Sequence, residues 1–242
     1  MDRIAVLTTY YTSAKSRALL PVHPVLLKDV SGLILVDCGG TPDAIREQAF
    51  QKEMDLNTLS RVIITHHDQD HIYGLADLKQ AYPKVKVIAS RTEAEYIGGK
   101  KDFERLRQAK ELYDAAPHGR KQESRALIEF YASIEKADAD VLLDPPGSFP
   151  WCGGLDILST PGHMPGHISV YVKESGTLIA GDALVLENGR LFIDPAHTLD
   201  MRQAKESVRQ FLDLDIRRLI CYHGGEFTGP VRDSVRAVLT EE

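Results

Sequence analysis

Short apolar runs recur along this 242-residue chain, and most of them read as strands. Ile4 to Tyr11 and Val22 to Leu27 are rich in β-branched and apolar residues, with a polar stretch from Thr12 to Ala18 between them that predicts a loop. Val30 to Asp37 predicts a third strand, after a turn at Ser31-Gly32, and Val62-Ile63-Ile64 and Val85 to Ala89 predict two more. Ser169 to Val172 and Thr177 to Ala180 predict a hairpin across Glu174-Ser175-Gly176. Between these runs the period changes. Thr41-Pro42-Asp43 opens a helix reaching about Met54, with Thr as cap, Pro at the first helical position and Asp in the first turn. Leu56 to Leu59 reads as a short turn, and Leu75 to Tyr82 as a helix stopped by Pro83. Thr198 or Asp200 caps a helix carrying Ala204, Val208, Phe211 and Leu212, and Pro230 to Leu239 makes a closing helix. Strand and helix alternate, an α/β pattern.

Residues 92–138 break that rhythm. Phe103, Leu106, Ala109, Lys110 and Tyr113 keep a helical period, as do Leu127, Ile128, Tyr131 and Ile134, with Pro117-His118-Gly119 as the break between them. A helical pair of this length is more than a connection. Its expected role is a lid or a homodimer contact, against the plainer reading of an extra packed layer. Asp144-Pro145-Pro146-Gly147 is turn-rich, yet the candidate ligands fall on both sides of it, so it does not read as a linker.

Composition narrows the picture by exclusion. The length suits one large domain or two small ones. A net charge of −6 is the wrong sign for a nucleic-acid partner. Cysteines 38, 152 and 221 are an odd number, widely spaced and without a C-x-x-C, which fits a reduced, cytoplasmic setting. Met1-Asp2-Arg3-Ile4 lacks the apolar core of a signal peptide, and no apolar run is long enough to span a bilayer, so no membrane association is expected.

The chemistry is concentrated in Thr65-His66-His67-Asp68-Gln69-Asp70-His71-Ile72-Tyr73-Gly74, where imidazoles and carboxylates, the ligands of borderline and hard divalent metals, dominate. An apolar run leads in and a helix leads away, so these groups sit at the carboxyl end of a buried strand, where open α/β sheets hold their ligands. Three more apolar runs each deliver one metal-type residue: Leu155 to His163, Thr177 to Asp182, and Arg218 to His223.

The succession H-x-D-x-D-H, T-P-G-H, G-D and H-G resembles the metallo-β-lactamase superfamily of metal-dependent hydrolases, over nearly the whole chain from Val36-Asp37-Cys38-Gly39 to His223. The resemblance implies an α+β, αββα four-layer sandwich: one domain over residues 1–242 with a helical insertion at about 92–138. It implies two divalent ions, zinc first, with manganese or iron as alternatives. His66, Asp68 and His163 would hold one, Asp70, His71 and His223 the other, and Asp182 would bridge them. Asp37 would orient a ligand or its loop. In Met164-Pro165-Gly166-His167 the second histidine would support rather than ligate. Phe192 and His197, between the bridging ligand and the last one, are pocket candidates, with His23 behind them.

One slot departs from the pattern. The superfamily usually has His where Asp68 stands. Either Asp68 is a ligand, or the first site is weakened and the chain holds one metal; the first is favoured because carboxylate oxygen binds zinc, manganese and iron. Three carboxylates against two divalent ions leave about one positive charge, and more oxygen shifts preference toward harder metals. Two metals about 3.5–4 Å apart can share a water and lower its pKa toward about 7, which implies a metal-bridging hydroxide as nucleophile, with Asp70 as its proton acceptor. No G-x-S-x-G is present to support a serine hydrolase. The expectation is hydrolysis of a small-molecule ester, lactone, thioester or amide. A glyoxalase-II-like thioesterase is disfavoured by the short stretch after His223. A diiron oxidoreductase-like protein and a non-catalytic metal-binding sensor are the alternatives.

Overall fold

The structure, a computed structural model, describes residues 3–117 and 121–240. Met1, Asp2, His118 and Gly119, which figure in the sequence reading, lie outside the described residues. The first half forms a six-stranded sheet from β1 (Ile4–Val6), β4 (Val25–Asp29), β5 (Gly32–Val36), β6 (Leu59–Ile63), β7 (Lys86–Ser90) and β8 (Val141–Leu143), in that spatial order. The pairings from β5 to β8 are parallel. The second sheet runs β16 (Gly225–Phe227), β15 (Arg218–Cys221), β12 (Thr177–Ile179), β11 (Ile168–Val172), β10 (Leu155–Ser159) and β9 (Gly147–Phe149). The turn at 144–146 carries the chain from one sheet to the other. The hairpin expected across Glu174-Ser175-Gly176 is β11 and β12, with Val170 opposite Ile179.

Strand alternation makes the layers. Val25, Leu27, Ile34, Val36 and Ile63 point to one face of the first sheet and meet Leu155, Ile157, Val170, Ile179 and Ile220 of the second, forming an inner core between the sheets. Leu26, Leu33, Leu35 and Val62 point the other way, against α1 (Pro42–Gln51), α3 (Leu75–Ala81), α4 (Arg91–Ile97) and the start of α5 (Glu104–Ala115). Tyr171, Leu178 and Leu219 pack outward on α7 (Met201–Arg209) and α8 (Val231–Thr240). Helices, sheet, sheet, helices: this is the αββα sandwich, and each fully buried Leu or Ile in it contributes about 1.5–3 kcal/mol.

Local signals hold at the helix starts. Thr41 Oγ1 accepts the Ala44 N–H, and Asp200 accepts that of Gln203 at the start of α7. Two expected strands are each split. Ile4 to Tyr11 becomes β1 and β2 (Thr9–Thr12), and Val22 to Leu27 becomes β3 (Leu19–Val22) and β4. β2 and β3 leave the main sheet as their own ribbon, because Pro24 cannot donate a ladder hydrogen bond and breaks the run there. Among the described residues the insertion holds three helices rather than two: α4, α5 and α6 (Lys121–Ala132).

Candidate metal centre

β5 and β6 end side by side, and the polar motif begins where β6 leaves the sheet. Asp37, at φ +58°, turns its carboxylate beneath the motif: Oδ1 accepts the Thr65 N–H and Oδ2 the Thr65 hydroxyl, both at 2.8 Å. Oδ2 also accepts the Nδ1–H of His71 at 2.9 Å, which leaves His71 Nε2 as the free ligand atom. The Thr65 hydroxyl, its proton given to Asp37, accepts from His66 Nδ1 at 3.0 Å, so His66 also presents a bare Nε2. Asp70 and His71 ride on the single turn α2 (Gln69–Ile72), pinned by the Tyr222 hydroxyl donating to Asp70 O at 2.5 Å.

The other candidate ligands come from the second sheet. His163 lies on the loop after β10. His167 accepts the Asp182 N–H on Nε2 at 3.0 Å, while its Nδ1 meets Thr160 Oγ1 at 2.8 Å. Burial, with His163 nearby, pushes His167 down to about 3, so it stays a neutral acceptor that positions Asp182. Gly181, at φ +57°, allows this approach, since a Cβ there would stand 2.7 Å from His167 Nε2. His223 stands two residues past the end of β15, after Tyr222.

The four segments converge. Asp182 Oδ1 lies 3.3 Å from His71 Nε2, and its Oδ2 lies 3.4 Å from His223 Nε2, 3.5 Å from His163 Nε2 and 3.9 Å from His66 Nε2. Asp70 Oδ2 is 3.1 Å from His223 Nε2, and Asp68 Oδ2 is 3.1 Å from His163 Nε2 and 3.6 Å from His66 Nε2. Two donors each about 2.1 Å from one tetrahedral ion stand about 3.4 Å apart, which is the spacing seen. Three ligand triads result: His66, Asp68 and His163; His66, His71 and Asp182; Asp70, His71 and His223. The buried His66 Nε2, His71 Nε2 and Asp182 Oδ1 have no hydrogen-bond partner, at a cost of about 1–3 kcal/mol each. A divalent cation fits this donor set and would satisfy all three.

Charge is arranged accordingly. Burial would raise Asp182, but His223 and His71 outweigh it and hold the carboxyl well below its usual range. Burial would lower His71 and His223, but the Asp182 carboxylate outweighs it and lifts both, His223 to about 10. A cation entering here replaces those protons.

Two features have no signal in the sequence reading. Arg105, on α5, forks onto the Asp68 carboxylate, with Nη2 to Oδ2 at 2.8 Å and Nε to Oδ1 at 3.0 Å. Burial would raise Asp68, but the guanidinium and the bonds from His163 and His66 hold it well below the usual carboxylate range. The second is the buried pair His67–Glu93. Glu93 accepts His67 Nδ1–H in a short contact and the N–H groups of His67 (2.9 Å) and Gly166 (2.7 Å). His67 Nε2 then accepts the Glu104 N–H at the start of α5, at 3.2 Å.

Above the centre opens a cavity of about 610 Å³, floored by Asp68, Asp70, His163, Asp182 and His223. Its walls include Leu20, Leu112, Leu127, Leu186 and Phe192, with Tyr11, Tyr131 and His197. Phe192 and His197 are therefore both at the pocket, while His23 is engaged with Leu7 O outside it. His197 is held by Asp194 at 2.6 Å, and its carbonyl accepts from Arg105 at 2.7 Å. Burial and nearby Asp68 push the Tyr131 phenol up to about 12, and burial with Asp70 and Asp182 raises Tyr11 likewise, so both remain hydroxyl donors. Among the described residues no helix is long and apolar enough to cross a membrane.

Comparison with known proteins agrees with the geometry. The family model described as Metallo-beta-lactamase superfamily matches residues 17–223. The chain is similar to the probable metallo-hydrolase YflN of Bacillus subtilis, 28% identical over 228 residues, covering 86% of this chain and 80% of that protein. It is also similar to a hydroxyacylglutathione hydrolase of Bartonella quintana, 32% identical over 174 residues, which are 71% of this chain but only 50% of that protein. Among solved structures, the metallo-beta-lactamase family protein TTHA1429 from Thermus thermophilus superposes with a TM-score of 0.73 at 22% identity, covering 99% of this chain and 79% of that one. That last likeness speaks for the fold alone.

Proposed function

The chain belongs to the metallo-beta-lactamase superfamily, and from that premise we propose that it is a metal-dependent hydrolase of a small acyl substrate, an ester, lactone, thioester or amide. The observation that carries this reading is the convergence of seven ligand-type side chains, five on the floor of the cavity and His66 and His71 buried with them, where His66 Nε2, His71 Nε2 and Asp182 Oδ1 are unpartnered. His66, Asp68 and His163 would hold one divalent ion, Asp70, His71 and His223 another, and Asp182 would lie between them. Zinc leads, with manganese or iron favoured by the third carboxylate.

When bound, such an ion acidifies water and polarises a carbonyl oxygen. The chain's own groups do the rest. Asp70, at the cavity floor, takes the proton of the attacking water and delivers it to the leaving group. Tyr11 and Tyr131, both protonated at neutral pH, are placed to donate to substrate oxygen. The leucines of α5 and α6 cover the acyl part and exclude water, which supports a lid role for the insertion over a dimer contact. The relatives named hydroxyacylglutathione hydrolase keep thioesters in the substrate class.

The test is elemental analysis of protein purified without added metal, run with a panel of ester, lactone, thioester, amide and β-lactam substrates. Bound metal with turnover on an acyl compound is expected. Bound iron with oxygen reduction and no hydrolysis would favour the redox alternative, and metal without any turnover the sensor.

A further inference from the structure

The two halves of the centre carry their acidic ligands in opposite company. Asp70 Oδ2 faces His223 Nε2, an imidazole that can shed its proton and become a ligand itself. Asp68 faces Arg105, a guanidinium that cannot be deprotonated in a protein. Asp68 Oδ2 is the oxygen directed at His66 and His163, and it is also the oxygen that Arg105 saturates, accepting from Nη2 at 2.8 Å and Nε at 3.2 Å. The guanidinium further lies 3.5 Å from His163 Nε2. A cation drawn to this triad thus meets a fixed positive charge against two of its three ligands.

Arg105 has little freedom to leave. It is only 9% exposed, and its remaining donors reach His197 O and Gln108 Oε1. Its helix is pinned one residue earlier, where the Glu104 N–H meets His67, the residue lying between ligands His66 and Asp68. The motif that carries the ligands therefore also holds the helix that carries the competing cation.

We propose that Arg105 makes the half-sites unequal: the Asp70–His71–His223 side, with Asp182, takes one divalent ion tightly, and the His66–Asp68–His163 side loads only against the guanidinium. This rests on the metal-dependent reading above but not on the reaction. Arg105 is a positioning residue that sets stoichiometry.

The experiment titrates metal-free full-length protein with Zn²⁺ and, separately, Mn²⁺, counting bound ions by elemental analysis after equilibrium dialysis. Wild type is expected to bind one ion at least about tenfold more tightly than the second. Arg105→Gln should tighten the second ion by about tenfold or more and leave the first within about twofold. Arg105→Lys, which keeps the charge without the fork, should fall between. Asp68→Asn should keep the tight ion and lose the second, and it decides the matter if Arg105→Gln does not fold. Two ions of equal affinity in wild type, an unchanged second ion in Arg105→Gln, loss of the tight ion in Asp68→Asn, or no bound metal would each overturn the proposal. Turnover on the acyl panel, measured on the same samples, separates the two claims. Unequal ions without hydrolysis sink the reaction and keep the inequality; equal ions with hydrolysis do the reverse.

Discussion

The floor and the roof of the cavity are built on different principles. On the floor, the candidate ligands sit on segments that leave strand ends, and most of their supports are side chains near neighbouring strand ends. Asp37 holds Thr65 and His71, and His167 holds Asp182. The roof, α5 and α6, is amphipathic and largely open. α6 buries no residue fully, and α5 buries only Arg105, Leu106 and Ala109. The floor is over-determined, as a centre needing sub-ångström ligand placement must be. The roof is tied down at few points, as a surface that adapts to substrate can be. Two contacts join the regions: the His67–Glu93 pair, which meets the start of α5, and Arg105 of α5 on Asp68.

Substitutions should separate them in graded fashion. Asp182→Ala removes the carboxylate shared by four histidines, so metal content and turnover should fall together to background. A variant keeping both would break the assignment of the floor, by elemental analysis and kinetics on one sample. Asp37→Ala should leave the ligand set intact but free the His71 ring, weakening metal binding by about 10–100-fold, read from competition with a chelator. Glu93→Ala strands a buried His67 and two backbone N–H groups, so unfolding in urea should show a loss of roughly 3 kcal/mol. An unchanged midpoint would show that floor and roof are not coupled through this pair. Smallest of all, Leu112→Ala and Leu127→Ala should lower kcat/KM by no more than about tenfold, more for long acyl chains than short, at constant metal content. Loss of metal in either would erase the distinction between the regions.

Much of the floor was readable because its chemistry is confined to few residue types. His66, Asp68, Asp70, His71, His163, Asp182 and His223 stand out as imidazoles and carboxylates after apolar runs, and the structure brings all seven together. Helix starts at Thr41 and Asp200 and the hairpin at 174–176 were equally legible, since their signals are local. The strand from Ile4 to Tyr11 was not. Its apolar run continues across Leu7 and Thr8, while the chain there crosses from the main sheet to a separate ribbon.

Arg105 shows the limit most clearly. Helical periodicity places Lys110 on the inward face and says nothing of Arg105, whereas the buried residues of α5 are Arg105, Leu106 and Ala109. A helix with several cations carries no local mark of which one faces inward. That depends on where α5 is anchored, and its anchor is His67, 37 residues upstream. By itself, then, the sequence determined which side chains are candidate ligands and the layered alternation that delivers them, because both follow from residue chemistry and short-range period. Which carboxylate is paired with a permanent cation and which remains open to a metal was decided by the tertiary structure alone. Electrostatic partnership is a matter of distance in space, and chain spacing does not encode it.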